Sequence, residues 1–77
     1  MMEQEQTLRK IVAKIAETTP DFSTEANLRD DLNVDSVRAV EIVFDIEGTF
    51  GVKVPEDRYS EVRTFKDLLS LVGSLKS

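Results

Sequence analysis

The stretch from Ser36 to Phe50 constrains this chain more than any other. At about 100° per residue, its apolar side chains separate into two stripes of one helix. Ala39, Ile42, Val43, Ile46 and Phe50 share an arc that can face a core, while Val37, Val40 and Phe44 lie nearly opposite, bordered by Glu41 and Glu47. Asp35 or Ser36 supplies an oxygen for the N-terminal amides, and Gly51 suits the C-terminal stop. A helix in a small bundle buries one face. The second stripe is therefore surplus to folding unless another segment covers it.

The flanking sequence is punctuated in the same way. Leu8, Ile11, Val12 and Ile15 recur at helical spacing, predicting a helix over Glu3 to Thr18. Pro20 stops it by pushing Thr19 out of the helical region. Residues 19–35 form a long connector whose sizeable apolar side chains, Phe22, Leu28 and Leu32, are expected to pin it to the core. After an extended link at residues 51–55, Pro55 at a first helical position, with Glu56 and Asp57 behind it, predicts a short helix ending near Glu61. Thr64 and Asp67 resemble a capping box for a last helix. Its inner face is Phe65, Leu68, Leu69 and Val72, widened by Leu71 and Leu75, with Gly73 fraying the end. Three glycines and two prolines leave little material for a turn-rich β fold. The expected fold is all-α: a small helical bundle of three main helices plus one short helix, with a long first connection, as a single domain over residues 1–77.

Absent residue types narrow the chemistry. Without cysteine the 77 residues have no disulfide and no thiolate site, and without histidine they lack the commonest general base and metal ligand. No metal site is expected. The net charge of −5 disfavours nucleic acid, whose phosphates would repel it. Residues 28–48 hold six acids against Arg29 and Arg38, so the excess is concentrated around the two-striped helix. That cluster is either an ordinary solvated face or a steering surface for basic partners. No apolar run is long enough to span a membrane and Met1 to Gln6 show no signal-peptide pattern, so the expected location is cytoplasmic.

Ser36 heads this acidic helix and admits three readings. As an enzyme nucleophile it needs an adjacent base, and the solvated carboxylates near it are too weak for a serine hydroxyl. No catalytic residue is expected. As a plain N-cap it is worth about 1 kcal/mol, the simplest account on position alone. As an exposed serine modified by another enzyme, it accounts together for the acids beside it and for the second apolar stripe.

Asp31-Leu32-Asn33-Val34-Asp35-Ser36-Val37, followed by Val40-Glu41-Ile42-Val43, resembles the D-L-x-x-D-S-L/V/M motif and following helix of acyl carrier proteins. The Phe50-Gly51-Val52-Lys53-Val54-Pro55 link and the Thr64-Phe65-x-Asp67-Leu68 helix start extend the likeness over about residues 5–75. The resemblance implies that a phosphopantetheinyl transferase moves 4′-phosphopantetheine from coenzyme A onto Ser36, with Asp35 beside the reaction. The arm's thiol then carries acyl groups as thioesters, which suits a chain without cysteine. It implies docking of acyltransferases, ketosynthases and other acyl-processing enzymes, through basic patches, on Val37, Arg38, Val40, Glu41, Phe44 and Glu47. It also implies an acyl-chain pocket at Ala39, Ile46, Tyr59 and Val62. The implied protein is a monomeric phosphoprotein that is no enzyme and does not insert in membranes. It would serve type II fatty acid, polyketide or specialised lipid biosynthesis. Val37, Arg38 and Gly48 depart from the family's commoner residues and point to a carrier with its own partners. Two alternatives are a D-alanyl or peptidyl carrier protein, and an acidic helical interaction module without an arm.

Overall fold

Helical periodicity and side-chain caps together set the architecture. The computed structural model describes residues 2–76; Met1 and Ser77, which the expected domain includes, lie outside the described residues. Its helices are α1 (Met2–Ala16), α2 (Ser36–Phe50), α3 (Glu56–Tyr59) and α4 (Phe65–Lys76). Three long helices and one short one form the expected all-α bundle. Leu8 and Val12 of α1, Ile42 and Ile46 of α2, and Phe65, Leu68 and Val72 of α4 are fully buried together. Leu71 is also buried, whereas Leu69 is only half-buried against the same core.

The helix ends differ in detail from expectation. α1 stops at Ala16 rather than Thr18 because Glu17 turns left-handed (φ 59°), which lets the Thr18 N–H reach back to the Ala13 carbonyl at 2.9 Å. Pro55 is the cap of α3 rather than its first residue, and α3 ends at Tyr59 rather than near Glu61. Gly73 does not fray α4, which continues to Lys76. At the other end of α4, Thr64 Oγ1 accepts the Asp67 N–H at 3.2 Å while Asp67 Oδ2 accepts the N–H groups of Thr64 and Arg63 at 3.1 and 3.0 Å. The capping box is reciprocal, and these backbone bonds hold the Asp67 carboxyl below its ordinary pKa.

The long connector has structure of its own. Leu28 and Leu32 are buried as expected, Phe22 packs against the core, and Val34 is buried as well. The carbonyls of Ala26 and Thr24 accept the N–H groups of Phe65 and Lys66 at 3.1 and 2.9 Å, satisfying amides that α4 cannot pair internally. Arg9 fastens the connector to α1. Its guanidinium donates to the carbonyls of Pro20 and Phe22, pairs with Glu5 at 2.9 Å, and lies 5.0 Å from the ring centroids of both Phe22 and Phe65. Those two rings meet edge to face at 5.0 Å.

Candidate functional site

Asp35 decides the status of Ser36. Asp35 adopts extended backbone (φ −81°, ψ −175°), and its Oδ1 accepts the Arg38 N–H at 2.9 Å. Its carbonyl accepts the Ala39 N–H at 2.8 Å. The cap is thus Asp35, and Ser36 is the first residue inside α2. Its side chain is exposed and makes no hydrogen bond among the described residues. The simple reading of Ser36 as an N-cap therefore fails, because the neighbouring carboxylate has taken that role.

The approach to Ser36 is held by Asn27, which the sequence reading passed over. Its Oδ1 accepts the N–H groups of Arg29 and Asp30 at 3.0 and 2.9 Å, and its carbonyl accepts those of Asp31 and Leu32 at 2.8 and 3.2 Å. Asp31 Oδ2 returns the bond by accepting the Asn27 N–H at 2.7 Å. Asn27 also forms an antiparallel bridge with Thr64, tying this turn to the start of α4. Asn33 then takes a left-handed conformation (φ 57°), which asparagine tolerates well. Val34 is thereby directed into the core and Asp35 outward. An asparagine followed by Asp at three and four positions is the available signal for such a turn.

A cleft of about 490 Å³ opens beside Ser36, between the connector, the start of α2 and the segment that joins α3 to α4. Ser36, Ala39, Tyr59 and Val62 all line it. Ile46 does not: it is fully buried in the core, so the helical wheel placed it on the correct side of α2 but not at the cleft. Tyr59 is half-buried, and burial pushes its phenol above the ordinary pKa.

The second stripe of α2 is uncovered. Val37, Val40 and Phe44 are 68%, 52% and 66% exposed, with Glu41 exposed among them. Arg38 and Glu47 have internal partners. Arg38 Nη2 lies 3.9 Å from Glu17 Oε2, across the start of α2 and the end of α1. Glu47 Oε2 accepts the Val54 N–H at 2.9 Å and holds the link that leads to α3. No helix among the described residues is long and apolar enough to cross a membrane.

A helical bundle presenting an exposed, non-capping serine at a helix start beside a cleft suits a carrier domain, and comparison with known proteins gives the class. A family model described as the phosphopantetheine attachment site matches residues 6–72. The chain is 33% identical over 78 residues to an acyl carrier protein of Zymomonas mobilis, covering all of both chains. It is 31% identical over 77 residues to one of Thermosynechococcus vestitus, covering 95% of each, and 38% identical over 56 residues to one of Syntrophobacter fumaroxidans, covering 73% of this chain and 69% of that one. The chain belongs to the acyl carrier protein family. Members of that family are carriers rather than enzymes, and the group they bear is 4′-phosphopantetheine.

Proposed function

We propose that this chain, as one carrier domain, receives 4′-phosphopantetheine on Ser36 Oγ and shuttles acyl groups between enzymes of type II fatty acid, polyketide or specialised lipid biosynthesis. One observation carries the reading: the Ser36 hydroxyl is exposed, free of the capping role, and at the edge of a cleft. In the transfer, Ser36 Oγ forms the new ester bond to phosphorus, the pyrophosphate bond of coenzyme A breaks, adenosine 3′,5′-bisphosphate leaves with the bridging oxygen, and the hydroxyl proton passes to the transferase. Asp35 Oδ1 is engaged with the Arg38 amide, which leaves Oδ2 to face the transferase. The arm supplies the thiol on which acyl groups are held, chemistry that this cysteine-free chain lacks.

Docking falls to the uncovered stripe of α2. Val37, Val40 and Phe44 offer a partner an apolar grip, and Glu41 offers a charge complementary to a basic patch. Arg38 beside Ser36 gives this surface mixed sign and favours partners of its own over a uniformly basic docking patch.

The test is incubation with a phosphopantetheinyl transferase and coenzyme A, followed by intact mass. The expected result is one added phosphopantetheine in the wild type and none in Ser36→Ala. No mass gain, or a gain that survives Ser36→Ala, overturns the assignment.

A further inference from the structure

We propose that Glu17, just past the end of α1, determines which partners the docking surface admits, by cancelling the charge of Arg38 and adding an acid next to Glu41 and Phe44. This rests on docking at α2 and attachment at Ser36, and deepens both by naming the partner's chemistry. The partner carries cations set toward Glu17 and Glu41, and none pressed against Arg38. Three observations support it.

The first is position. Glu17 follows α1, yet it lines one open groove of about 430 Å³ with Glu41, Phe44 and Asp45 of α2, completed by Lys14 and Ile15. Three acids against one lysine leave that groove net negative, the complement of a basic side chain. The exposed stripe of α2 therefore continues across onto α1. The second observation is the pair with Arg38, whose Nη2 lies 3.9 Å from Glu17 Oε2, with side chains 34% and 77% exposed. The Arg38 N–H is bonded to Asp35 Oδ1 at 2.9 Å, so its cation stays near Ser36. A pair this exposed adds little to stability. Its effect is on the field, because close opposite charges nearly cancel at a Debye length, about 10 Å at 0.1 M salt. Without Glu17, an arriving basic group meets an uncompensated guanidinium beside the attachment serine. The third observation is the backbone. Glu17 is left-handed (φ 59°), a conformation that glycine adopts freely and glutamate does not. Glycine would serve the turn better, so it is the side chain that accounts for glutamate there.

The experiment measures initial rates of arm transfer from coenzyme A by a phosphopantetheinyl transferase with a basic docking face, over a range of carrier concentrations, with intact mass confirming the product. A unit charge about 4 Å away in water changes an equilibrium about fivefold, so Glu17→Gln should raise KM for the carrier by about that factor at low salt, with little change in kcat. Arg38→Gln should lower KM. Glu17→Gln/Arg38→Gln restores neutrality at that spot and should bring KM back close to wild type. These differences should fade at about 1 M salt, where the Debye length is about 3 Å. Glu17→Gly separates charge from backbone: it should raise KM as Glu17→Gln does, while raising Tm by relieving the left-handed glutamate. An unchanged KM in Glu17→Gln, a rise that survives in the double variant, or a rise absent from Glu17→Gly overturns the role of Glu17. Glu41→Gln, measured alongside, should also raise KM; a KM unmoved by it overturns docking at α2 itself. Absence of transfer to the wild type overturns attachment at Ser36, and this inference with it.

Discussion

Two glycines three residues apart in or beside α2 should respond to alanine with opposite signs. Gly48 lies inside the helix, is exposed, and has no atom within 4 Å of where a Cβ would sit. Glycine inside a helix costs about 0.8–1.0 kcal/mol relative to alanine, so Gly48→Ala should stabilise by about that amount. For 77 residues the unfolding entropy is roughly 0.16 kcal/mol per kelvin, which converts the gain into a rise of about 5–6 °C in Tm. Gly51 is equally free of neighbours but adopts φ +67° as the C-terminal cap. There an L residue pays about 1–2 kcal/mol, so Gly51→Ala should lower Tm by about 6–12 °C. Thermal melts by circular dichroism, with urea titrations to verify an unchanged m value, measure both. A Tm for Gly48→Ala at or below wild type, or shifts of the same sign for both variants, refutes the description of residues 36–50 as one uninterrupted helix closed by a left-handed residue.

Four further outcomes follow from the packing and the charges. Arg9→Lys should cost about 2 kcal/mol in urea denaturation, because hydrogen bonds involving a charged group are worth about 1.5–3 kcal/mol and lysine lacks the planar fork; a negligible cost would mean the connector is held elsewhere. Asp67 has a lowered pKa in the folded protein, so its contribution is present above the ordinary aspartate value and lost as pH falls through the folded one; the Tm advantage of wild type over Asp67→Asn should shrink on acidification through that window. Phe44→Ser should change stability by no more than about 0.5 kcal/mol, while Ile46→Ala should cost about 2–5 kcal/mol, since the first side chain is 66% exposed and the second fully buried. Added salt should raise Tm, because the described residues form two ion pairs against a net charge of −5; a salt-independent Tm would show the acids to be dispersed or already paired.

Legibility in the sequence followed the chemistry at each boundary. Residues 36–50 were readable at both ends because Asp35 offers a capping oxygen and Gly51 the left-handed stop, and the observed helix has the expected limits. The end of α1 was not readable, because the left-handed position is held by Glu17, a residue that carries no such preference; Pro20 marked the stop too late. The exposed stripe of Val37, Val40 and Phe44 was visible because a helical wheel resolves direction around an axis. Depth along the axis is another matter. Ala39 and Ile46 share a face, yet only Ala39 is near enough to the start of α2 to line the cleft. Arg9 was not readable because its carbonyl partners, Pro20 and Phe22, are brought to it by another segment, which no local pattern displays; Asn27 bonds amides of its own turn, and the Asp residues three and four positions on are the local signal for it.

The acidic cluster has a structural role, and that role does not compete with the steering role proposed for it. Of the six acids in residues 28–48, Asp31, Asp35 and Glu47 accept backbone N–H groups from Asn27, Arg38 and Val54. Such a bond fixes a carboxylate without neutralising it, because the amide contributes a dipole and no net charge. The contribution of residues 28–48 to the field that a distant basic partner would feel therefore includes all six acids, offset within that stretch by Arg29 and Arg38. At contact range the account changes. Glu47 is held by the link to α3 and Arg38 faces Glu17, so close complementarity falls on Glu41 and the three exposed apolar side chains. Substituting Asp31 or Asp35 would then weaken attraction and local structure together, whereas Glu41→Gln alters recognition while leaving the fold's hydrogen bonds intact. Of the acids on the docking surface proposed for α2, Glu41 is accordingly the one whose removal would separate steering from stability.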